Sequence, residues 1–210
     1  MTPREAQSDI GPSYRKENQI IACASALDNE GKSSTMLLLA GACAYAGERV
    51  LLIDCDFWSS PFKALAPETP AGYYAALRDP SQVDPLIVDT DEDDVYILPA
   101  ARGVEDPAAL LLSDEFGNLV NALAQDFDRI LIDTPAILQR IDIAALYRLA
   151  NTVLMIVRWN STNKGAVNSA IKALQDVGVT PSAVAATQVD TKRASEYGDN
   201  PFAYADRSFI

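Results

Sequence analysis

Residues 19–34 read QIIACASALDNEGKSS, and the fold turns on how this stretch is parsed. It opens with the short apolar run QIIACA and leads into the helical pattern STMLLLAGACAYAG, so the segment SALDNEGKSS at 25–34 lies between a strand and a helix. In that context a glycine-lysine-serine turn forms a phosphate loop. The backbone N–H groups of residues 29–33 can wrap phosphates, Lys32 can bridge the β- and γ-phosphates, and the Ser33 hydroxyl can ligate Mg²⁺. The helix start contributes its positive end. Candidate nucleotide-binding residues are therefore Asn29, Glu30, Gly31, Lys32, Ser33 and Ser34. The general pattern G-x-x-x-x-G-K-[ST] would put its first glycine at Ala26, a departure from the strict motif. Gly31-Lys32-Ser33 alone reads equally well as a surface turn, so its surroundings carry the weight.

Moving outward, RVLLIDCD, VYILP, RILIDTP, TVLMIVR and SAVAATQVD alternate with longer helical stretches. This is the βαβ rhythm of a parallel sheet. The runs at 50–53, 130–132 and 153–157 are apolar without alternation, as expected of central strands covered on both faces. Residues 36–46 are apolar nearly all round and predict a buried helix ended by Gly47. A helix pair is predicted across 106–125 with Ser113 as a cap, and a further helix at 163–177 ends at Gly178. The expected fold is α/β, a doubly wound, mostly parallel P-loop NTPase sheet. The expected organisation is a single domain at 19–193, with a flexible arm at 1–18 and a flexible tail at 194–210.

Two of these runs deliver carboxylates where a strand ends: Asp54 and Asp56 after VLLI, and Asp133 after RILI. The carboxyl edge is where parallel sheets build their sites. A hard Mg²⁺ ion takes oxygen ligands and keeps several waters, so Ser33 and one or two of these aspartates suffice to hold it. The remaining aspartates are free for proton transfer. One aspartate alone would read as a strand terminator; three of them together with Gly31-Lys32-Ser33 read as an ATP and Mg²⁺ site.

Composition narrows the chemistry. The net charge of −12 and pI near 4.3 repel a phosphodiester backbone, which argues against a nucleic-acid partner. There is no histidine, so histidine acid–base catalysis and histidine-ligated zinc are excluded. Cys23, Cys43 and Cys55 each sit in an apolar run without C-x-x-C spacing and read as core thiols in a reducing cytoplasm. No stretch approaches the roughly 20 apolar residues of a membrane span, and the first residues lack a signal-peptide centre. The acidic run Asp89–Asp94 lacks an EF-hand pattern and reads as a solvated loop. Tyr73 and Tyr74 read as packing, and Trp58 as packing with a possible place near the site mouth.

With these residues in place, the sequence resembles the MinD/ParA-like branch of P-loop ATPases. Within it, the resemblance is to bacterial tyrosine kinases of capsule and exopolysaccharide synthesis, the CpsD/CapB-like proteins, over about residues 19–192. SALDNEGKSS is similar to the family's S-A-x-P-G-E-G-K-S-T and VLLIDCDF to its second, two-aspartate motif. DRILIDTPAIL with Asp133 and Asp142 is similar to its Walker B stretch, and VLMIVRWNSTNKGAV to the strand, arginine and threonine turn that follow. The resemblance implies that Lys32 and Ser33 bind phosphate and magnesium, that Asp54 is the catalytic base beside Lys32, and that Asp56 and Asp133 belong to the metal site. It implies tail tyrosines as phosphoacceptors, here Tyr197 and Tyr204, and a membrane-embedded polysaccharide co-polymerase or export protein as partner. A cytoplasmic protein held peripherally at the inner membrane through that partner, with a possible homo-oligomer, is the corresponding expectation.

The departures are specific. Asp28-Asn29 stands where the family has Pro-Gly, and Phe57-Trp58-Ser59-Ser60 where basic residues follow the second motif. Thr187 matches a base-end asparagine, and residues 1–18 carry no arginine-rich assembly helix. Partitioning ATPases of the branch have a lysine at the position of Ser25, which favours the kinase side. Three functions remain open at this point: a tyrosine autokinase, a non-phosphorylating regulatory ATPase gating a membrane partner, and a spatial-organising ATPase.

Overall fold

The computed structural model describes residues 19–59, 61–67, 69–90 and 94–190. The arm at 1–18 and the tail at 194–210, with Tyr197 and Tyr204, lie outside the described residues. The chain runs β1 (Gln19–Ser25), α1 (Lys32–Tyr45), β2 (Val50–Asp54), α2 (Ala71–Arg78), β3 (Val88–Asp89), β4 (Val95–Leu98), α3 (Pro107–Leu111), α4 (Asp114–Asp126) and β5 (Arg129–Asp133). A 3-10 segment (Ile141–Leu149), β6 (Thr152–Arg158), α5 (Lys164–Asp176) and β7 (Ala183–Thr187) complete it. The sheet order is β3-β4-β2-β5-β1-β6-β7, and among the described residues only the β3–β4 pairing is antiparallel. This is the expected mostly parallel α/β sheet, with β1 near its middle.

The unalternating runs follow from burial on both sides. Val50 and Leu52 join Ile21, Cys23, Leu131 and Met36 in one core, whereas Leu51 and Ile53 join Ile130, Ile132, Phe116 and Leu119 in the other. β2 and β5 are interior strands, fully or nearly fully buried, while β6 pairs on both edges but stands one strand from the margin and is only partly covered. Helix α4 starts at the predicted cap: the Ser113 hydroxyl accepts the Phe116 N–H at 3.1 Å, with Asp114 and Glu115 in the first turn. Gly47 and Gly178 follow α1 and α5 at positive φ, as helix terminators do.

The buried helix expected at 36–46 is different in detail. α1 begins four residues earlier, at Lys32, and only Lys32, Met36 and Ala40 are buried, a single stripe at spacing four. Leu38 is 77% and Tyr45 97% exposed. Alanine and glycine make the sequence look apolar all round, but one helix face is enough to seal the sheet beneath it. Cys23 and Cys55 are buried as expected, and Cys43 is half-buried. Within the acidic run, Asp89 closes β3 against Tyr96 rather than belonging wholly to a loop.

Candidate nucleotide site

The parallel register sets the site. Asp133 at the end of β5 lies beside Asp54 of β2 on one side and Cys23 of β1 on the other, so two aspartates and the loop that leaves β1 meet at one edge. The loop between β1 and α1 is held open by left-handed residues. Gly31 has φ 91°, and Asn29, where the resembling family has glycine, takes φ 59°, a region asparagine tolerates better than most. Ala26 at the first-glycine position is fully buried and is accommodated there.

Lys32 is nearly buried and its Nζ donates to the Ser25 hydroxyl at 2.9 Å, which in turn donates to the Leu27 carbonyl at 2.7 Å. The ammonium is thus aimed back along the loop. Asp56 folds the turn after β2: one carboxylate oxygen accepts the Trp58 and Ser59 N–H groups at 3.2 and 2.9 Å, the other the Ser59 hydroxyl at 2.9 Å. Asp54 is fully buried, accepting the Asp56 N–H at 2.9 Å and the Ala100 N–H at 3.4 Å. It therefore shapes the turn that carries Asp56.

Asp133 stands apart. Both its oxygens are buried and neither has a hydrogen-bond partner among the described residues. Burial pushes its pKa up to about 6, with the Ser33 hydroxyl and the Lys32 ammonium close enough to offset part of that rise. Next to it Thr134 is fixed by donating to the Cys23 carbonyl at 2.7 Å, which leaves the buried Tyr147 hydroxyl, 2.6 Å away, as donor to Thr134. A buried, unsatisfied carboxylate beside a serine hydroxyl, at the sheet edge where the phosphate loop leaves β1, fits a hard cation with oxygen ligands.

The loop after β1 and the Asp56 turn border a cleft of about 770 Å³ lined by Asn29, Gly31, Lys32, Ser33, Ser34 and Asp56 among others, a volume suited to a nucleotide. Asp54 and Asp133 are not on its wall. Arg158 and Gln188 are, and they were not singled out as site residues from sequence. Only the family-like strand-arginine pattern pointed to Arg158, and nothing pointed to Gln188, because their placement depends on β6 and β7 lying next to β1. Trp58 lines a separate hollow of about 350 Å³, with the Arg140 guanidinium 3.5 Å from its ring centroid. Arg140 is also ion-paired with Asp142, so Asp142 serves that loop and does not reach the cleft.

A sequence profile of the AAA domain family matches residues 18–181. The tyrosine-protein kinase CpsD of Streptococcus agalactiae is 29% identical over 188 residues, covering 88% of this chain and 80% of that protein. The solved BceF tyrosine kinase domain superposes with a TM-score of 0.70 at 25% identity, over 80% of this chain and 68% of that one. A chain of the MinC:MinD cell division protein complex of Aquifex aeolicus gives a TM-score of 0.66 at 18% identity, over 85% of this chain and 72% of that one, a likeness of fold. With its phosphate loop leaving β1 and its mostly parallel sheet, the chain belongs to the AAA domain family and is similar in sequence to bacterial tyrosine kinases.

Proposed function

We propose that the chain binds Mg-ATP in this cleft and transfers the γ-phosphoryl group to tyrosine, as a regulator of exopolysaccharide or capsule synthesis acting beside a membrane polysaccharide co-polymerase. The observation that carries the reading is the convergence of Lys32, Ser33, Asp56 and an unpartnered Asp133 on one phosphate loop. The relatives named as tyrosine-protein kinases support the choice of acceptor. Ser33 and Asp133, with Asp56 nearby, are the residues that would hold Mg²⁺, which when bound neutralises phosphate charge. Lys32 holds the β- and γ-phosphates, and the loop amides orient them. A tyrosine hydroxyl, with a pKa of about 10, needs a base. Of the three strand-end aspartates, Asp56 lines the cleft and takes that proton as the phenolic oxygen–phosphorus bond forms and the bond to the ADP leaving group breaks. Asp54, expected as the base, contributes by holding the Asp56 turn.

A second reading rests on the same turn. Trp58 stands where the resemblance implies a basic residue, and its ring is occupied by Arg140, so contacts that would steer an acceptor are replaced. In that reading the chain binds ATP and gates its partner without phosphorylating anything. Incubating the purified protein with Mg-ATP beside Lys32→Ala, followed by intact mass and peptide mapping, separates the two. Lysine-dependent phosphate on Tyr197 or Tyr204 establishes the kinase. ATP binding without phosphate, repeated with the membrane partner present, establishes the regulator.

A further inference from the structure

A carboxylate inside a loop built to attract phosphate needs an explanation. Glu30 adjoins Gly31 and Lys32, is only 2% exposed, and sits where a negative charge opposes an incoming triphosphate. Its side chain is turned away from the cleft and fully used. Oε2 accepts the Leu27 N–H at 2.8 Å, closing the loop on itself. Oε1 accepts the hydroxyl of Thr162 in the turn after β6, with the Arg158 N–H at 3.5 Å. The main chain is anchored on the same side: the Glu30 carbonyl accepts the Thr187 hydroxyl at 2.5 Å, and the Asn29 carbonyl accepts the Gln188 amide at 3.1 Å. A trans peptide points its C=O and N–H in opposite directions, so holding the Glu30 carbonyl against Thr187 turns the Gly31 N–H away from β7.

We propose that Glu30 and Thr162 form a latch that keeps the phosphate loop in its anion-binding shape, making Thr162 a positioning residue for nucleotide although it does not line the cleft. The inference rests on the nucleotide-binding reading. The latch joins the loop that holds phosphate to the 158–162 turn, whose Arg158 lines the same cleft, so the two walls are set together. Thr162 supplies one hydroxyl. Serine can replace it and valine, its near isostere, cannot.

The test uses the full chain, with Thr162→Val, Thr162→Ser and Glu30→Ala, in two measurements. Hydrogen exchange of the nucleotide-free protein reads the latch directly. The segment 26–33 is expected to exchange roughly tenfold faster in Thr162→Val and Glu30→Ala, corresponding to loss of a hydrogen bond to a charged group, and at the unmodified rate in Thr162→Ser. Titration with fluorescent mant-ATP should show affinity about tenfold weaker in Thr162→Val and restored in Thr162→Ser, with melting of both variants close to that of the starting protein. Unchanged exchange in Thr162→Val overturns the latch whether or not ATP binds. Faster exchange with unchanged mant-ATP affinity overturns its role in nucleotide binding. Failure of the starting protein to bind mant-ATP, with exchange behaving as expected, overturns the nucleotide reading and leaves a structural tie only.

Discussion

Replacing Asp133 with asparagine should stabilise the nucleotide-free protein, and the gain should depend on pH. The Asp133 pKa rises from an ordinary 3.8 to about 6 because the carboxylate is buried, with the nearby Ser33 hydroxyl and Lys32 ammonium offsetting only part of that rise. That is roughly 2 units, or about 3 kcal/mol at 1.36 kcal/mol per unit. Between pH 3.8 and 6 the folded chain keeps a proton that the unfolded chain has lost, so this group's contribution to stability is complete below 3.8 and is lost as pH rises through 6. Asparagine cannot titrate. Urea or thermal unfolding in EDTA, from pH 4 to pH 8, should show the Asp133→Asn advantage growing through that window and levelling above about pH 7. Near neutrality it should reach up to about 3 kcal/mol, or roughly 6–12 °C in Tm for a domain of this size. With Mg-ATP at about 100 times Kd, the starting protein alone should gain about 2.7 kcal/mol. A variant advantage that is flat with pH, or that shrinks as pH rises, refutes the assignment of Asp133 as an unpaired buried carboxylate.

Ser113→Ala removes the side-chain acceptor for the Phe116 N–H and should lower unfolding free energy by about 1 kcal/mol in urea titrations. Gly31→Ala puts a Cβ at φ 91° and 3.4 Å from the Thr187 hydroxyl; it should cost roughly 1–3 kcal/mol in stability and weaken ATP binding in calorimetry. Met36→Ala should cost about 2–5 kcal/mol by thermal melting, while Leu38→Gln, on the exposed face of the same helix, should stay within about 0.5 kcal/mol.

The sequence made the strands legible because burial on both faces leaves no alternation: Val50–Ile53 could be placed without knowing which core each residue joins. The face of α1 was not legible, since its three alanines and one glycine carry too little contrast to mark the stripe Lys32, Met36 and Ala40. β3 is two residues long and exists through its pairing with β4, which no local pattern announces. At the site, spacing brought Lys32, Ser33, Asp54, Asp56 and Asp133 to one sheet edge. It could not rank the aspartates, because the strand ends at Asp54 and the chain then turns, sealing that carboxylate and leaving Asp56 on the cleft wall. Glu30 was read as a nucleotide contact through its backbone N–H; what the sequence could not show is that its side chain also bonds partners more than a hundred residues downstream, Thr162 and the backbone of Arg158.

The position of β1 has a consequence for the order in which this protein comes into being. Its strand partners are β5 and β6, with Gln19 against Arg129 and Ile21 against Thr152. Synthesis proceeds from the N-terminus, so the phosphate loop is made early and waits, attached to a strand with both edges bare, until the last third of the sheet has emerged. Closing such distant pairings is the slow part of building a parallel sheet. Nucleotide held as proposed therefore marks a chain that has been made through β6 and the Thr162 turn.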